Sequence, residues 1–460
     1  MKWNNLSLHK IKWICSFIVV LLPFFCSISN IFQKYLAVTL WAIMMWMFEL
    51  LPEEIVAIML PGLYILFDIT NYATAFSAWT TSTPWITLGG LMIGGMIVKS
   101  GLVLRIAYKS LLLTKGSLKG IVWGIVLTCT IFTPLIPSIM AKVALLVPVV
   151  IGICKVLKVK AKSATASALM LVVFFALWSP KMAFMTASTD SILTAGILEQ
   201  YLGVKITWLA WAKDMFIPGI LWMLVSIPLI YILRPQHLNL NKEYLELEYR
   251  KLGKITIDEK KTVTLIAALL ILLIFSSWHK LPEGVLMLGI GCLGFFPGIG
   301  LLKSDDFSKI QFKVVFFLAG AVTIGAVASS IGITESVINF VQPYFEQMNS
   351  YELVMSIYIF SILANFLLNP LALIATLMIP IANLCSNLGY SATIGGYSMI
   401  MGFNQALFPY EIAPLMLVYG FGYLKLTHLI KVMVFRILAG IIFMTVVTYP
   451  YWLYIGLLDK

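Results

Sequence analysis

The chain has 460 residues, 61% of them hydrophobic and 11% charged, with a formal net charge of +12. This composition excludes a soluble globular domain, and long apolar runs without alternation exclude a membrane β-barrel. In a membrane chain, the excess of Lys and Arg indicates basic cytoplasmic loops rather than a nucleic-acid partner. We therefore expect an all-α, multi-pass protein of the cell (inner or plasma) membrane.

The N-terminus is basic and then apolar, as in a signal peptide, but it lacks a clear cleavage site of small residues. We expect it to be retained as the first membrane helix, with its start in the cytoplasm. The six cysteines form no CxxC pair, which predicts small buried side chains rather than disulfides. Apolar runs follow near 13–29, 35–51, 55–68, 84–113, 120–154, 163–198, 206–233, 262–278, 284–302, 313–341, 351–385, 392–424 and 430–457.

The run at 120–154 departs from a simple membrane crossing. No acidic residue occurs within 101–162, and basic residues precede and follow the run, so both of its ends belong on the cytoplasmic side. Pro134, Pro137 and Ser138 interrupt it near the midpoint, which predicts a re-entrant hairpin of two half-depth helices. A broken backbone is tolerated at this depth only where it lines a cavity or is buried in protein. The flanking basic residues are Arg105, Lys109, Lys115, Lys119, Lys155, Lys158, Lys160 and Lys162.

The two halves of the chain resemble each other. LGGLMIGGMIVKSGL at 88–102 resembles LAGAVTIGAVASSIGI at 318–333, and Pro148 in LLVPVVIGICKVL corresponds to Pro380 in LMIPIANLCSNL. The features recur at a nearly constant offset, and each half has an odd number of true crossings, so we expect inverted repeats with the site at their interface. The second hairpin is then 351–385, broken at NFLLNPLA and open to the outside.

This assignment gives about 11 transmembrane helices and two hairpins. It also gives two broken helices, at 163–198 and 392–424. The polar linker at 235–261 and the basic stretch KLTHLIKVMVFR both fall on the cytoplasmic side. The C-terminus is then outside.

Three stretches resemble the divalent anion:sodium symporters, a family within the ion transporter superfamily. WMFELLPEEIVAIMLPGLYIL resembles the W-x-x-E-x-x-P stretch that joins the second and third helices of that family. DFSKIQFKVVFFLAGAVTIGAVASSIGI resembles the segment leading into the long helix of the second repeat. VYGFGYLKLTHLIKV resembles the end of the second broken helix. Their order and spacing are preserved over nearly the whole chain.

The resemblance implies a homodimer that works as an elevator, in which a transport domain moves against a scaffold. The scaffold would comprise 1–114 and 262–345, and the transport domain 115–234 and 346–460, with 235–261 as the cytoplasmic linker. In the family, each hairpin tip carries Ser-Asn-Thr ten residues before a proline, and each following broken helix carries a Thr-Pro-Pro-Asn-like loop. Together these motifs hold sodium ions and a dicarboxylate, citrate or sulfate.

This chain departs from those motifs where the site is expected. At the first tip only Ser138 matches, and no Ser-Asn-Thr stands at the second. The sequence therefore does not predict a sodium site, although one near Ser138, Ala187 and Asn365 is not excluded. Half-helix N-termini at both tips supply a positive field for an anion. The expected substrate-binding residues are Ser138, Ile139, Met140, Ser188, Thr189, Asn369, Pro370, Asn404, Gln405 and Tyr410.

Lys142 lies four residues after Ser138, at the start of the returning half-helix. A charge at this depth costs on the order of several kcal/mol and is usually paired or functional. One hypothesis is an ion pair with Asp190 that fixes the hairpin tip to the broken helix. The other is that its ammonium replaces a sodium ion and that its protonation is the coupling event. Lys181 is a second candidate contact for the anion, or else a lysine that reaches the outer headgroups.

Asp190 and Glu411 stand at matching breaks of the two repeats and complete, with Lys142, the predicted ion-coupling groups. Each is a candidate proton carrier, cation ligand or partner of Lys142, with a helix cap facing water as the alternative. Glu49 matches a family glutamate, but its place at the inner end of the second span indicates a structural role. No span carries a His or a nucleophile–base cluster, so we predict neither an enzyme nor a cofactor other than Na+ or H+ as coupling ion.

We predict a secondary active transporter of a small anion, a di- or tricarboxylate, coupled to protons or to exchange, with Lys142 in place of a sodium ion. The alternative is a sodium-coupled dicarboxylate or sulfate symporter that uses Asp190 and Glu411. A more remote alternative is a membrane protein that binds its ligand without transporting it. The expected partners are the anion, the bilayer and a second copy of the chain.

Overall fold

The computed structural model of the chain describes residues 2–48, 50–114, 116–134, 136, 138–203, 205–238, 240 and 242–459. Helices and the turns between them make up this described part, and no β-strand occurs in it. The all-α prediction is therefore confirmed. Glu49 and Pro137, singled out from the sequence, lie outside the described residues.

The first half of the chain alternates long apolar helices with short connections. Several helices begin at a hydroxyl side chain: Ser117 accepts a hydrogen bond from the backbone N–H of Gly120, and Ser163 accepts one from Ala166. The helices are α1 (Lys2–Leu21), α2 (Asn30–Phe48), α3 (Glu53–Leu66), α4 (Tyr72–Ala75), α5 (Ser82–Lys99), α6 (Leu102–Leu113), α7 (Leu118–Phe132), α8 (Ile139–Val156), α9 (Ala164–Trp178), α10 (Thr189–Leu202), α11 (Trp208–Ser226) and α12 (Lys242–Lys251).

The second half repeats this order. The first helix of this half, α13, starts with a capping box, in which Thr256 and Glu259 each accept a hydrogen bond from the backbone N–H of the other. The helices are α13 (Ile257–Ile274), α14 (Ser276–His279), α15 (Glu283–Leu293), α16 (Ser304–Phe307), α17 (Phe312–Ile331), α18 (Ile333–Val341), α19 (Ser350–Asn365), α20 (Pro370–Asn387), α21 (Ala392–Phe403), α22 (Ala413–Gly420), α23 (Leu426–Phe443) and α24 (Tyr449–Tyr454).

The internal repeat predicted from the sequence is present in the helices. α5 and α17 start at residues 82 and 312, 230 apart, and α8 and α20 start at 139 and 370, 231 apart. Gly101 and Gly332 follow the two long helices with φ of +80° and +76°, a conformation that glycine adopts without strain. The apolar run at 84–113 is consequently two helices, because α5 and α6 meet at Gly101 with a bend of 65°.

Both predicted breaks are present, between α7 and α8 and between α19 and α20, while the re-entrant path of each hairpin through the membrane stays a prediction. Ser138 Oγ accepts a hydrogen bond from the backbone N–H of Ala141 at 3.2 Å, and Asn369 Oδ1 accepts one from Ala372 at 2.9 Å. Each returning half-helix therefore starts at a polar N-cap, which satisfies one backbone donor that the break would otherwise leave unpaired.

Two groups of helices can be distinguished by their contacts within one continuous hydrophobic core. In the hairpin group (α7–α11 and α19–α24), α9 packs on α7 and α8 while α21 packs on α19 and α20, and residues 165–178 are all buried. In the long-helix group (α2, α3, α5, α13, α15 and α17), α5 packs on α15 and α17 on α3. Gly89 there lies against the Met287 backbone and Gly320 against that of Ala57, too close for a Cβ. α10 and α20 contact α17 and join the two groups.

Seven described helical stretches are long and apolar enough to cross a membrane, or eight if the bent pair α5–α6 counts as one span. α7, α15 and α19 are apolar but shorter. The expected number of about 11 crossings therefore stays a prediction, since length and composition do not decide it for the short and broken helices.

Candidate functional site

A cavity of about 310 Å³ lies where both hairpin tips and both helix breaks meet. Glu53 at the start of α3, and Gln311 and Lys313 at the start of α17, are exposed and line its open end. Six of the predicted substrate-binding residues lie in its wall, as do Asp190 and Glu411. The six are Ser138, Ile139, Met140, Thr189, Asn369 and Pro370.

Four helices begin at this cavity. The first residues of α8, α10, α20 and α22 all line it. A helix N-terminus carries a partial positive charge and unpaired N–H groups, so four of them pointing inward favour an anion. The cavity volume suits a ligand of only a few carbon atoms.

Lys142 lies behind the first tip rather than in the cavity wall. Its side chain is 1% exposed, and its Nζ donates to the backbone carbonyl of Ala187 at 3.2 Å and, more weakly, to that of Thr133 at 3.5 Å. Among the described residues no carboxylate forms an ion pair with it. The hypothesised pair with Asp190 is therefore wrong, and backbone carbonyls hold the ammonium instead.

Asp190 pairs with Lys181 in a fully buried ion pair. The Lys181 ammonium also lies 3.2 Å from the centre of the Trp178 ring, and the other Asp190 oxygen accepts the backbone N–H of Ser191 at 3.2 Å. Lys181 is 0% exposed and lines the cavity, so it does not reach the headgroups. The sequence identified both residues but not their pairing.

Glu411 is buried at the second break, not facing water. Its carboxylate accepts the backbone N–H groups of Phe408 at 2.7 Å and Leu407 at 3.1 Å, and lies 3.4 Å from Asn365 Nδ2. No Lys or Arg of the described chain pairs with it. The neighbouring Asn365 Oδ1 is buried without a hydrogen-bond partner. Unlike Asp190, Glu411 is thus an acid without a basic partner at the cavity.

Four of the predicted substrate-binding residues lie outside the cavity wall. Ser188 hydrogen-bonds Ser191 at 3.0 Å, and Tyr410 is 56% exposed. Asn404 and Gln405 are buried behind the second break, where their polar atoms are already used by other protein groups. They support the site rather than line it.

Arg436 is the residue that the sequence analysis missed. We had placed it at the end of the cytoplasmic stretch KLTHLIKVMVFR, but it lies within α23 and is 0% exposed. Its guanidinium donates to Asn404 O and Oδ1 at 2.6 Å, and to Gln405 Oε1 and Ser179 Oγ at 3.1 Å. The rings of Phe175 and Trp222 enclose it. The apolar residues that continue after it to residue 454 were the available signal that the arginine lies inside a span.

Arg436 sits where the two broken helices meet. Trp178, the last residue of α9, donates its indole N–H to Asn404 O at 2.9 Å, and Asn404 donates its side-chain amide to Trp178 O at 3.0 Å. Asn404 directly follows α21, so two helix C-termini face each other there. A buried cation at two C-termini offsets their partial negative charges. The three residues fix one half of the cavity wall to the other.

We expect Arg436→Leu to lower the free energy of unfolding by roughly 1–3 kcal/mol, because the acceptors on Ser179 and Gln405 lose their charged donor. Thermal unfolding in detergent measures this effect. Lys431→Leu, at an exposed position of the same helix, is the control and changes stability by less than about 0.5 kcal/mol. An Arg436→Leu protein as stable as wild type would contradict the bridging role.

Residues 4–458 match the family described as the sodium:sulfate symporter transmembrane region. The chain is 28% identical over 233 residues to "Dicarboxylate transporter 1, chloroplastic" of Spinacia oleracea, a match over 50% of this chain and 41% of that protein. It is 23% identical over 456 residues to the "L-tartrate/succinate antiporter" of Escherichia coli K12, covering 88% and 90% of the two chains. The chain thus spans less than half of the chloroplast relative but most of the bacterial one.

The crystal structure of the Alcanivorax borkumensis YdaH transporter has a similar fold, with a TM-score of 0.56, 14% identity and coverage of 87% of this chain and 90% of that chain. Such low identity shows a shared architecture alone. The family match, by contrast, extends over nearly all 460 residues. The chain therefore belongs to the sodium:sulfate symporter family, the divalent anion:sodium symporters, and is a multi-pass membrane protein.

Proposed function

We propose that the protein is a secondary active transporter of a small dicarboxylate that is coupled to protons or to exchange, with Lys142 as a built-in cation. The observation that carries this proposal is the bonding of the Lys142 ammonium to two backbone carbonyls, Ala187 O and Thr133 O. Carbonyl oxygens are also the ligands that a hard cation uses in proteins. The ammonium therefore stands where a sodium ion would otherwise join the hairpin tip to the first break.

A tethered cation changes the coupling. A bound sodium ion can leave on each side of the membrane and thus transmit its gradient to the substrate, whereas a lysine side chain stays with the protein. The charge that stabilises the anion is then permanent, and the driving force has to come from another solute, either a proton or a second anion. This separates the protein from a two-sodium symporter on the same fold.

The substrate class follows from the cavity and from the relatives. The four helix N-termini and Lys181 favour carboxylate groups, and about 310 Å³ accommodates a short dicarboxylate. One of the two relatives above is named as a dicarboxylate transporter and the other as a tartrate/succinate antiporter. A four-carbon dicarboxylate is accordingly the substrate that we would test first.

We further propose that the protein works as a homodimer by an elevator mechanism. A transport domain, residues 115–234 and 346–460, moves in it against a scaffold, residues 1–114 and 262–345. The Asn369 side chain at the second tip donates to Glu53 at the start of α3, at 2.9 Å, across the proposed boundary. With the N-terminus in the cytoplasm and the C-terminus outside, the open end of the cavity faces inward.

Cross-linking tests this movement. In a background without the six native cysteines, Glu53→Cys and Asn369→Cys joined by a short bifunctional maleimide should stop transport, because the tip can no longer leave α3. Each single variant is the control, and its transport rate should be the same before and after treatment with the reagent. Full transport by the cross-linked protein would contradict the elevator.

Substitution of Lys142 tests the coupling proposal. We expect Lys142→Met to reduce dicarboxylate uptake into proteoliposomes at least about tenfold, since the two carbonyls lose their cation. Lys155→Met, at an exposed position of the same helix, is the control and transports normally. Lys142→Ala leaves room for a metal ion, so its uptake should become dependent on sodium. Normal, sodium-independent uptake by Lys142→Met would leave the lysine without a role in transport.

A sodium-coupled symporter is the second candidate, and one observation at the second break favours it. Asn365 Oδ1 is buried without a hydrogen-bond partner, and Asn365 Nδ2 donates to the Gln405 carbonyl and the Glu411 carboxylate, so that the side chain lies among oxygen atoms of the kind that bind sodium. Asp190, the other ligand suggested for sodium, is occupied by Lys181. A strict sodium requirement of the wild-type protein would favour this candidate over the first.

A further inference from the structure

The carboxylates that line the buried part of the cavity differ in whether they are paired. On the side of the first repeat, the wall includes the starts of α8 and α10 and the Lys181 ammonium, which pairs with Asp190. On the side of the second repeat, it includes Glu411, which has no basic partner among the described residues, while Glu53 and Lys313, which carry opposite charges, are exposed at the open end. A carboxylate of the ligand would therefore be repelled beside Glu411 more than beside the Lys181–Asp190 pair.

The backbone strengthens this difference. α20 starts with Pro370, and Pro414 is the second residue of α22, so neither position has an N–H to offer to an anion. On the opposite side, Ile139 and Met140 at the start of α8 both have one. In the first two positions of each helix, the second repeat thus has backbone N–H groups only on Leu371 and Ala413, whereas all four such residues of α8 and α10 have one.

The charge balance of the hairpin group points the same way. Its buried charged side chains are three cations and two carboxylates, an excess of one positive charge in the described residues. A ligand with one negative charge makes this set neutral, whereas a dianion leaves an uncompensated negative charge at membrane depth, which is costly. The five side chains are Lys142, Lys181, Arg436, Asp190 and Glu411.

From these observations we infer that the cavity takes a singly charged, asymmetric ligand, with one carboxylate toward Lys181 and a neutral hydrogen-bond donor toward Glu411. The inference deepens the proposed function, on which it rests. A dicarboxylate is then carried as its hydrogen dicarboxylate, whose acidic proton comes from the medium and is shared between its second carboxyl group and the Glu411 carboxylate. The substrate itself thus carries one proton per turnover.

Ligand binding by the purified full-length protein tests this inference, with succinate and its half-amide succinamate compared at about pH 5.5 and about pH 8. Succinamate has one carboxylate at both pH values, and its amide supplies the neutral donor. We expect the Kd of succinate to increase at least about tenfold at the higher pH, as the hydrogen form is depleted, while the Kd of succinamate changes less than about twofold.

The variant Glu411→Gln gives a second test of the same inference. Its amide oxygen still accepts the backbone N–H groups of Leu407 and Phe408, and its amide N–H can donate to a carboxylate of the ligand. In this variant succinate should bind equally well at both pH values. Asp214→Asn is the matched control: the partly exposed Asp214 accepts a hydrogen bond from Tyr397 but does not line the cavity, so the wild-type pH dependence should persist.

The outcomes separate this inference from the function on which it rests. Binding of succinate with the same Kd at both pH values, without binding of succinamate, would overturn the inference and leave dicarboxylate transport in place. If neither ligand nor any other small carboxylate binds at either pH, the proposed function fails, and this inference fails with it.

Discussion

The structure depends on how a membrane protein satisfies backbone groups where its helices are broken. Each break inside the bilayer frees carbonyl groups that water cannot solvate, and in this protein buried cations take them up. Lys142 holds the carbonyls of Thr133 and Ala187, and Arg436 holds that of Asn404. Without Lys142, the first hairpin tip and the first break would each lose a donor at a depth where an unpaired carbonyl costs roughly several kcal/mol. Without Arg436, Asn404 O at the second break would keep only the Trp178 indole N–H among the described donors.

The same arrangement explains the polarity of the cavity. Helix C-termini, with their partial negative charge, meet behind the wall and are offset there by Arg436, while the N-termini of four half-helices point into the cavity. An anion site is thereby built mainly from the backbone. In the described part of the chain, the charged side chains that reach the buried part of the cavity are the Lys181–Asp190 pair and Glu411.

Much of this organisation could be predicted from the sequence. The break between α7 and α8 followed from Pro134 and Ser138 in the middle of an apolar run, and the repeat followed from matching motifs about 230 residues apart. The pairing of Lys181 with Asp190 could not be predicted, because it depends on how the break folds back between them. Arg436 was missed because a pattern of charges does not tell whether an arginine at the end of a basic stretch faces the headgroups or a protein core. Asn404 and Gln405 are polar residues at the second helix break, as predicted, but their side chains bind Arg436 and do not line the cavity.

We propose that a cation belonging to the protein itself, the Lys142 ammonium, occupies the place of a coupling ion. Counterflow of labelled succinate in proteoliposomes tests it most directly, with N-methyl-D-glucamine replacing sodium on both sides. We predict the same rate of exchange with and without sodium, since Lys142 is present in either case. Exchange that occurs only when sodium is added would contradict the account.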